Sequence, residues 1–472
     1  MKTKTIDGGK ILIGSFIINF MLAGTIRLSA IYFVESLTRY NVNRKQASFP
    51  FVLTFIVRNL SGPFVGYLFQ IFGMKSMILI GCSISTISIG ACFFSEDILA
   101  ITLLWGLMFG LGYVLGNHML PALLNELFPE SKSKANGFST SGACIGGIFL
   151  PLLIENSINL YGVSGSFLIL SAVMAHTIPA AMLLKNPVAK KSDPYKDKYT
   201  KFKLHSVEEQ NETHVLNSLE PEKHHETQIS TSHETEQGPE LKVSCEQNEH
   251  ECGVLVDSNS KDSKKRNRWK SSILSLKVYL DLPFLLLLLI NAGTLFICFT
   301  VFTIILDFVR DKGVGANLEI YYVVCLPVFD LCGRLGSGVF NDKYYLTTPT
   351  TTTICFVCAS VSFIAFIFVR HYVLVLLCEF ILCVFIGALF VLMIALIPDC
   401  IEEDKRTMAM GSRLILYPLF SLGMSPMIGH FRGTQGSYDG VLYVLSGICI
   451  GCGFLTYFIP YLTKRRKTKS PQ

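Results

Sequence analysis

The run LPFLLLLLINAGTLFICFTVFTIIL, residues 282–306, decides the fold, because it contains no charged residue over its whole length. A helix of about 20 apolar residues crosses a hydrocarbon core of roughly 30 Å, so this run predicts a transmembrane helix. The whole chain has a similar character, since 50% of its 472 residues are hydrophobic and only 16% are charged. A soluble domain carries about a quarter charged residues, so we predict a polytopic membrane protein.

Outward from this run, twelve apolar segments are bounded by charged residues, Gly and Pro, and each predicts one transmembrane helix. Six of them precede a long polar segment, at residues 11–34, 48–71, 75–95, 98–126, 137–160 and 163–184. The other six follow it, at residues 279–309, 317–340, 347–369, 372–398, 407–431 and 439–463.

The polar segment between the two sets is rich in Glu, Lys, Ser, His and Asn and has hardly any aromatic residues. Such a composition cannot bury enough apolar surface to offset the entropy of ordering, which predicts disorder. We therefore predict an N-terminal six-helix bundle over 1–185, a long disordered linker over 186–272 and a C-terminal six-helix bundle over 273–472. The fold class is an all-α membrane protein with twelve transmembrane helices, ending in a basic tail.

The basic residues of the short loops predict the orientation in the membrane. With both termini in the cytoplasm, the inner loops hold about twice as many Lys and Arg residues as the outer loops, which agrees with the positive-inside rule. We therefore expect a multi-pass protein of the plasma membrane, embedded in the lipid bilayer, whose termini and linker are cytoplasmic. The net charge of +6 does not predict a nucleic-acid partner, because the charges lie between and beside the apolar runs.

Two six-helix halves joined by a long inner loop resemble the major facilitator architecture, in which the substrate binds near the bilayer midplane between the halves. A phosphate-binding loop of the Gly-x-x-x-x-Gly-Lys-Ser/Thr type does not occur in the sequence, which argues against a pump driven by ATP. No enzymatic function and no cofactor are predicted. Cys355-x-x-Cys358 and Cys449-x-x-Cys452 lack the further ligands of a four-ligand metal site, so no metal site is predicted either.

Four arginines fall inside predicted spans, where a charged side chain is costly and usually faces a polar cavity. Arg334 lies four residues after Asp330, which puts both side chains on one face of a helix. A guanidinium is a permanently charged fork of donors, and an aspartate can be ionised or protonated. The pair could therefore bind an organic anion together with a proton, or it could be a structural ion pair.

The other charged positions leave more than one interpretation open. Arg27 lies deep in the first span. We predict that it faces the cavity and binds substrate, or that it is the structural partner of an acid such as Asp330. For Arg58 we predict either substrate binding in the cavity or a hydrogen bond between helices. Asp399 and Arg413 lie near the predicted inner boundary. There each side chain could form a gating salt bridge or simply extend to the membrane surface, which is called snorkelling.

At these positions the sequence resembles the monocarboxylate transporter family, over about 7–185 and 273–463. The likeness rests on Asp7-Gly-Gly before the first span, on Phe167-Leu-Ile-Leu in the sixth and on Asp330-x-x-x-Arg334 in the eighth. It also includes the segment from Phe128 to Gly147, which contains the following matching residues: Lys132, Ala135, Asn136, Gly137, Gly142 and Gly146. Asn136 is thereby a candidate for gating or packing.

The resemblance implies that Arg334 binds the substrate carboxylate and that Asp330 couples a proton to it. The family's first-span lysine falls at Arg27, and its usual tryptophan after Asp-Gly-Gly is replaced by Lys10. By resemblance, the partners are a small carboxylate substrate, a proton and, in some members, a single-span immunoglobulin-type chaperone.

The leading prediction is a secondary transporter of small organic monocarboxylates, coupled to protons, that works by alternating access. Some family members carry larger carboxylates or amino acids without a proton, which gives the first alternative. The second alternative is a protein that no longer transports and acts as a sensor or scaffold through its linker.

Overall fold

The computed structural model describes residues 2–186, 276–313, 316–342 and 346–469, and the regular structure of these ranges is helical. This agrees with the predicted all-α class. The predicted linker, except for Asn186, lies outside the described residues.

The N-terminal half consists of six membrane helices, α1 to α6. Their bounds are Lys2–Ile18 continued by Asn19–Ala23, Gly24–Arg27 and Ser29–Arg39 for α1, Arg44–Leu60 with Gly62–Phe72 for α2, Met74–Ala91 for α3, and Ile98–Leu127 for α4. The helix Lys132–Met174 supplies both α5 and α6, because its backbone leaves the helical region at Gly162 with φ 70° and ψ 177°. A positive φ of this kind suits glycine, which has no Cβ. α5 ends there, and α6 continues through Thr177–Met182.

The C-terminal half consists of α7 to α12. Their bounds are Leu282–Asp311 for α7, Ala316–Asn341 for α8, Thr348–Phe368 for α9, Tyr372–Cys400 for α10, Glu403–Gln435 for α11 and Asp439–Lys469 for α12. The α11 segment is built from shorter helices that begin with Arg406–Ser412 and Tyr417–Ser421.

The number of membrane-spanning helices follows from length and apolar composition. Among the described residues, 9 helices meet these criteria singly, and the two pieces of α2, bent by 56° at Ser61, meet them together. The 51-residue helix Lys132–Met182 is one of the nine but turns at Gly162, so it provides two spans. The 26-residue α8 is not among the helices that meet these criteria, but counting it as a span gives twelve among the described residues, which is the predicted number.

The ends of the helices define two faces of the bundle. We call the end that holds Gly73, Ser131, Asp342 and Glu402 the inner face, after the location predicted from the loop charges, and the opposite end the outer face. Two helix pairs make extensive contacts between the halves, α5 with α8 and α2 with α11.

Glycines bring both of these helix pairs close together. A Cβ on Gly137 of α5 would stand 2.5 Å from the carbonyl oxygen of Arg334 on α8. Gly62 of α2 meets the backbone of Gly411 on α11 in the same manner. Small residues at membrane helix contacts permit this approach of the backbones. The α5–α8 interface and the α2–α11 interface therefore hold the halves together and set the positions of the charged side chains that flank them.

Candidate functional site

Asp330 and Arg334 form a buried, two-pronged ion pair on α8. Arg334 Nε donates to Asp330 Oδ1 and Nη2 donates to Oδ2, each at 2.9 Å. The two residues are only 1% and 7% exposed. One turn of helix separates them, as the i, i+4 spacing predicted. This parallel geometry uses the planar fork of the guanidinium, which a lysine ammonium cannot reproduce.

Side chains of the N-terminal half also reach Asp330. The buried Cys144 thiol of α5 donates to Asp330 Oδ2 at 3.2 Å, and Arg27 Nη2 of α1 lies 3.9 Å from the same oxygen. Arg334 Nη1 in turn donates to the carbonyl oxygen of Thr140 on α5 at 3.5 Å. The pair therefore lies at the junction of the two halves, where a movement of one half relative to the other changes its contacts.

Aromatic rings and a glycine complete the surroundings of the two arginines. The guanidinium of Arg334 lies over the ring of Phe390 at 4.7 Å, and that of Arg27 lies over Phe302 at 5.6 Å. Gly147 of α5 leaves the space that the Arg27 side chain occupies, since a Cβ there would collide with it. The Arg27 side chain is 32% exposed, whereas the Asp330 side chain is 2% exposed, so Arg27 is the more accessible end of the cluster.

Arg58 occupies the other side of the junction, on α2. Its guanidinium lies 5.5 Å from the ring centres of both Phe55 and Tyr113, and its buried Nε has no hydrogen-bond partner in the described part of the chain. Phe55 packs edge-on against Tyr417 of α11. Arg58 is therefore partly buried next to the α2–α11 interface and is positioned by rings rather than by an acid.

Arg413 connects the two halves at the same interface. Its Nη1 donates to the carbonyl oxygen of His118 on α4 at 2.9 Å and to that of Met410 on its own helix at 3.0 Å. These contacts bind α11 to the N-terminal half.

Asn136 and Asp399 belong to a polar network near the inner face. Asn136, fully buried on α5, donates to Asn125 of α4 at 2.7 Å. Asp399 of α10 accepts from Lys132 at 2.8 Å and from the Thr348 hydroxyl at 3.1 Å. The first contact lies within the N-terminal half, and the Lys132–Asp399 ion pair joins the two halves.

Sequence reasoning missed a second carboxylate in this network. Asp342, at the end of α8, accepts hydrogen bonds from the backbone N–H groups of Ser133 at 3.2 Å and Lys134 at 2.8 Å. A carboxylate at the first turn of a helix satisfies free N–H groups there and complements the helix dipole. Here the capping residue Asp342 belongs to the opposite half of the protein. A sequence pattern indicates a cap only when the capping residue is adjacent in sequence to the helix that it caps.

Comparison with known proteins identifies the class. The sequence model of the Major Facilitator Superfamily matches residues 12–385 and 337–472. The chain therefore belongs to the major facilitator superfamily, whose members are membrane transporters and not enzymes.

Among individual proteins, the relatives are monocarboxylate transporters of low identity. Human monocarboxylate transporter 12 is 20% identical over 98% of this chain and 83% of its own length. Human monocarboxylate transporter 7 is 19% identical over 95% of this chain and 87% of its own. Rat monocarboxylate transporter 4 is 25% identical, but the match spans only 39% of this chain and 40% of that protein.

Two solved structures share the fold. The transporter FucP in its outward conformation has a TM-score of 0.63 at 11% identity and is covered over 98% of its length. The proton:xylose symporter XylE has a TM-score of 0.61 at 11% identity and is covered over 96% of its length. Both alignments include 96% of this chain, which confirms the predicted fold across both halves.

Proposed function

We propose that this chain is a secondary transporter of small organic monocarboxylates, coupled to protons, that works by alternating access. The observation that supports this most strongly is the Asp330–Arg334 fork at the junction of the halves, with Arg27 next to it. An incoming carboxylate offers Arg334 the same two oxygens that Asp330 offers, so it can compete for that fork. The names of the monocarboxylate transporter relatives agree with a carboxylate as substrate.

In this proposal the substrate carboxylate binds first to Arg27, which is the more accessible cation, and then to Arg334. Phe302 and Phe390 contribute apolar surface beside the two guanidinium groups. A buried anion needs a permanent positive charge nearby, because leaving water costs an unpaired carboxylate several kcal/mol. Arg58 adds positive charge from the other side of the junction and attracts the anion without a direct ion pair.

The hydrogen bonds and ion pairs between the two halves support an outward-facing arrangement. Among the described residues, these contacts lie between the level of Asp330 and the inner face. Examples are the pair Lys132–Asp399, the Asp342 cap on α5 and the Arg413 bond to His118. Opening the inner face would break these contacts. Asp399 and Arg413 thus act as gating residues, and Asn136 maintains the packing of α5 on α4.

The proposed location is the plasma membrane, with both termini in the cytoplasm, as the loop charges predict. In this orientation the contacts near the inner face lie on the cytoplasmic side of the membrane. We also propose that a single-span immunoglobulin-type chaperone helps to deliver the protein to the cell surface. Co-expression of the two proteins, with the surface amount measured, tests this.

The function is tested by uptake into liposomes that contain the purified protein. Lactate, pyruvate, a ketone body, an aromatic amino acid and creatine are offered with and without an inward proton gradient. We expect saturable uptake of a small monocarboxylate that rises with external acidity and is strongly reduced in Arg334→Lys. Uptake without acid stimulation would favour the uncoupled carrier, and uptake of none of the five would contradict the proposal.

A further inference from the structure

A second carboxyl group lies inside the C-terminal half and has no hydrogen-bond partner among the described residues. Glu379 of α10 is 0% exposed, and neither of its carboxyl oxygens has a hydrogen-bond partner in the part of the chain that the structure describes. Glu379 forms no ion pair with a charged side chain among these residues. In the described part of the chain, two thiols interact with it electrostatically, Cys325 of α8 and Cys383 of α10.

Such an environment holds a neutral carboxylic acid far more easily than a carboxylate. An ionised group that leaves water without donors or counter-ions pays a large desolvation cost, and binding a proton removes that cost. Glu379 therefore binds a proton where it lies, and it can release the proton only when a conformational change brings water or a donor to it.

Asp330 has the opposite environment. Three donors contact its two oxygens, namely Arg334 Nε and Nη2 at 2.9 Å and the Cys144 thiol at 3.2 Å. Arg27 adds a further positive charge at 3.9 Å. Adding a proton to this carboxylate would remove its attraction to both arginines and leave Arg334 buried without a counter-ion.

The position of Glu379 connects it mechanically to the anion site. It lies on the same helix as Gly387, where a Cβ would stand 2.8 Å from Asp330 Oδ1. Eight residues of helix separate the two positions, or about 12 Å along the axis. The ring of the neighbouring Phe380 packs edge-on against Phe329 of α8 at 5.0 Å. A change in the charge of Glu379 therefore acts on the α8–α10 contact that also holds Asp330.

We propose that Glu379 is the group that carries the coupled proton, while Asp330 stays ionised and holds Arg334 for the substrate. This rests on the proposed function, a proton-coupled carrier. The proton binds a Glu379 oxygen from the outer side, since Glu379 lies about 10 Å along α10 from its outer end at Tyr372. It leaves to the inner side after the halves rock, and one proton with one monocarboxylate moves no net charge.

Glu379→Gln tests the proposal, because the amide keeps the shape of the side chain and cannot change its charge. Liposomes containing the variant are compared with the unmodified protein and with Glu155→Gln, a matched change at an exposed position of α5. The probe is the carboxylate of the five-compound panel that the unmodified protein takes up fastest. We expect Glu379→Gln to lose acid stimulation of net uptake and proton influx but to retain substrate exchange, and Glu155→Gln to retain all three.

A second readout does not depend on transport. Infrared spectra of the purified protein at neutral pH should contain the carbonyl band of a protonated carboxyl group, and Glu379→Gln should lack it. Acid-stimulated uptake that persists in Glu379→Gln, or an unchanged infrared band, overturns the assignment and leaves the carrier function intact. An unmodified protein that transports without acid stimulation also overturns it. Failure of the unmodified protein to transport any panel compound counts against the proposed function itself.

Discussion

In the described part of the chain, each side of the junction between the two halves carries two arginines, but an acid pairs with the arginines of only one side. Beside the α5–α8 interface, Arg334 and Arg27 both face Asp330, at 2.9 and 3.9 Å. Beside the α2–α11 interface, Arg413 donates to carbonyl oxygens and Arg58 lies over aromatic rings. Among the described residues, neither of these two forms an ion pair with a carboxylate.

This difference indicates which arginines can exchange partners. A guanidinium bound by a carboxylate can transfer its donors to a substrate carboxylate with little loss, because the chemistry of the acceptor is the same. A guanidinium that satisfies backbone carbonyls is tied to the fold, and one that stacks on rings contributes mainly long-range charge. The effect of mutation on substrate binding should therefore fall from Arg334 to Arg27, then to Arg58 and finally to Arg413.

Arg334→Lys should have the largest effect. Lysine keeps the charge but loses the two parallel hydrogen bonds to Asp330, and it cannot offer the same fork to a substrate. We expect a loss of roughly 3 kcal/mol in substrate binding, on the order of 100-fold. The measurement is initial uptake against substrate concentration, corrected for the amount of protein in the membrane.

Arg432→Lys is the matched control for Arg334→Lys. Arg432, near the outer face, also forms a forked pair with an aspartate, Asp311, but this pair is exposed and lies within the C-terminal half. Exposed ion pairs contribute little, so uptake should stay close to that of the unmodified protein. Equal losses in both variants would show that any Arg–Asp fork matters and would remove the special role of the α5–α8 side.

Arg27→Ala should have the second-largest effect. Arg27 approaches Asp330 without donating a hydrogen bond within normal distance, so its removal costs attraction for the substrate but leaves the fork intact. We expect about tenfold weaker binding, or about 1.4 kcal/mol. The affinity is obtained from the substrate concentration at half-maximal uptake, and normal affinity in Arg27→Ala would exclude Arg27 from the site.

Arg27→Lys tests a separate property, the acid dependence. A lysine in a desolvated position can lose its proton, whereas an arginine stays charged in proteins. Replacing the permanent charge with one that titrates should make uptake depend more steeply on external pH. A pH profile identical to that of the unmodified protein would contradict this part of the account.

Much of the architecture and part of the site could be predicted from the sequence. Long apolar runs indicate membrane helices because every backbone group must be satisfied in lipid, and the i, i+4 spacing alone predicts that Asp330 and Arg334 meet. Glu379 lies inside the predicted span 372–398, so the sequence shows that an acid is present in the membrane. Whether it has a partner depends on the side chains of neighbouring helices, which no local pattern reports.

The contacts between the halves could not be predicted for the same reason. Cys144 lies in an apolar segment, where a thiol usually behaves as a small hydrophobic residue, but in the structure its thiol also donates to Asp330 from 186 positions away. Asp342 caps a helix that begins 210 residues earlier in the chain, at Lys132. Contacts of this length depend on how the two halves dock, and single-sequence patterns describe only neighbours along a helix or a loop.

Arg58→Gln should have a smaller effect than either change beside α5–α8. The guanidinium lies over the rings of Phe55 and Tyr113, and cation–π contacts of a partly buried arginine are worth about 0.5–2 kcal/mol. Glutamine removes the charge, so we expect two- to threefold weaker substrate binding, or about 0.5 kcal/mol. The dependence of affinity on ionic strength should weaken as well. A loss as large as that of Arg27→Ala would mean that Arg58 contacts the substrate directly.

Arg413→Lys should have the smallest effect on substrate binding, since an ammonium can still donate to the carbonyl oxygens of His118 and Met410. We expect binding within about twofold of the unmodified protein, because the charge and at least one of these bonds remain.

Arg413→Leu, in contrast, leaves the carbonyl oxygen of His118 without its donor from α11 and weakens the contact between the halves. Since that contact belongs to the arrangement closed at the inner face, Arg413→Leu should shift the population toward the inward-open state. Alkylation of a cysteine introduced at Gly66, which faces Met408 of α11 and where a Cβ would stand 3.4 Å from its nearest neighbour, should then become faster in Arg413→Leu than in Arg413→Lys. If the alkylation rates agree and both variants bind substrate normally, Arg413 only anchors its own helix, and the α2–α11 interface does not gate.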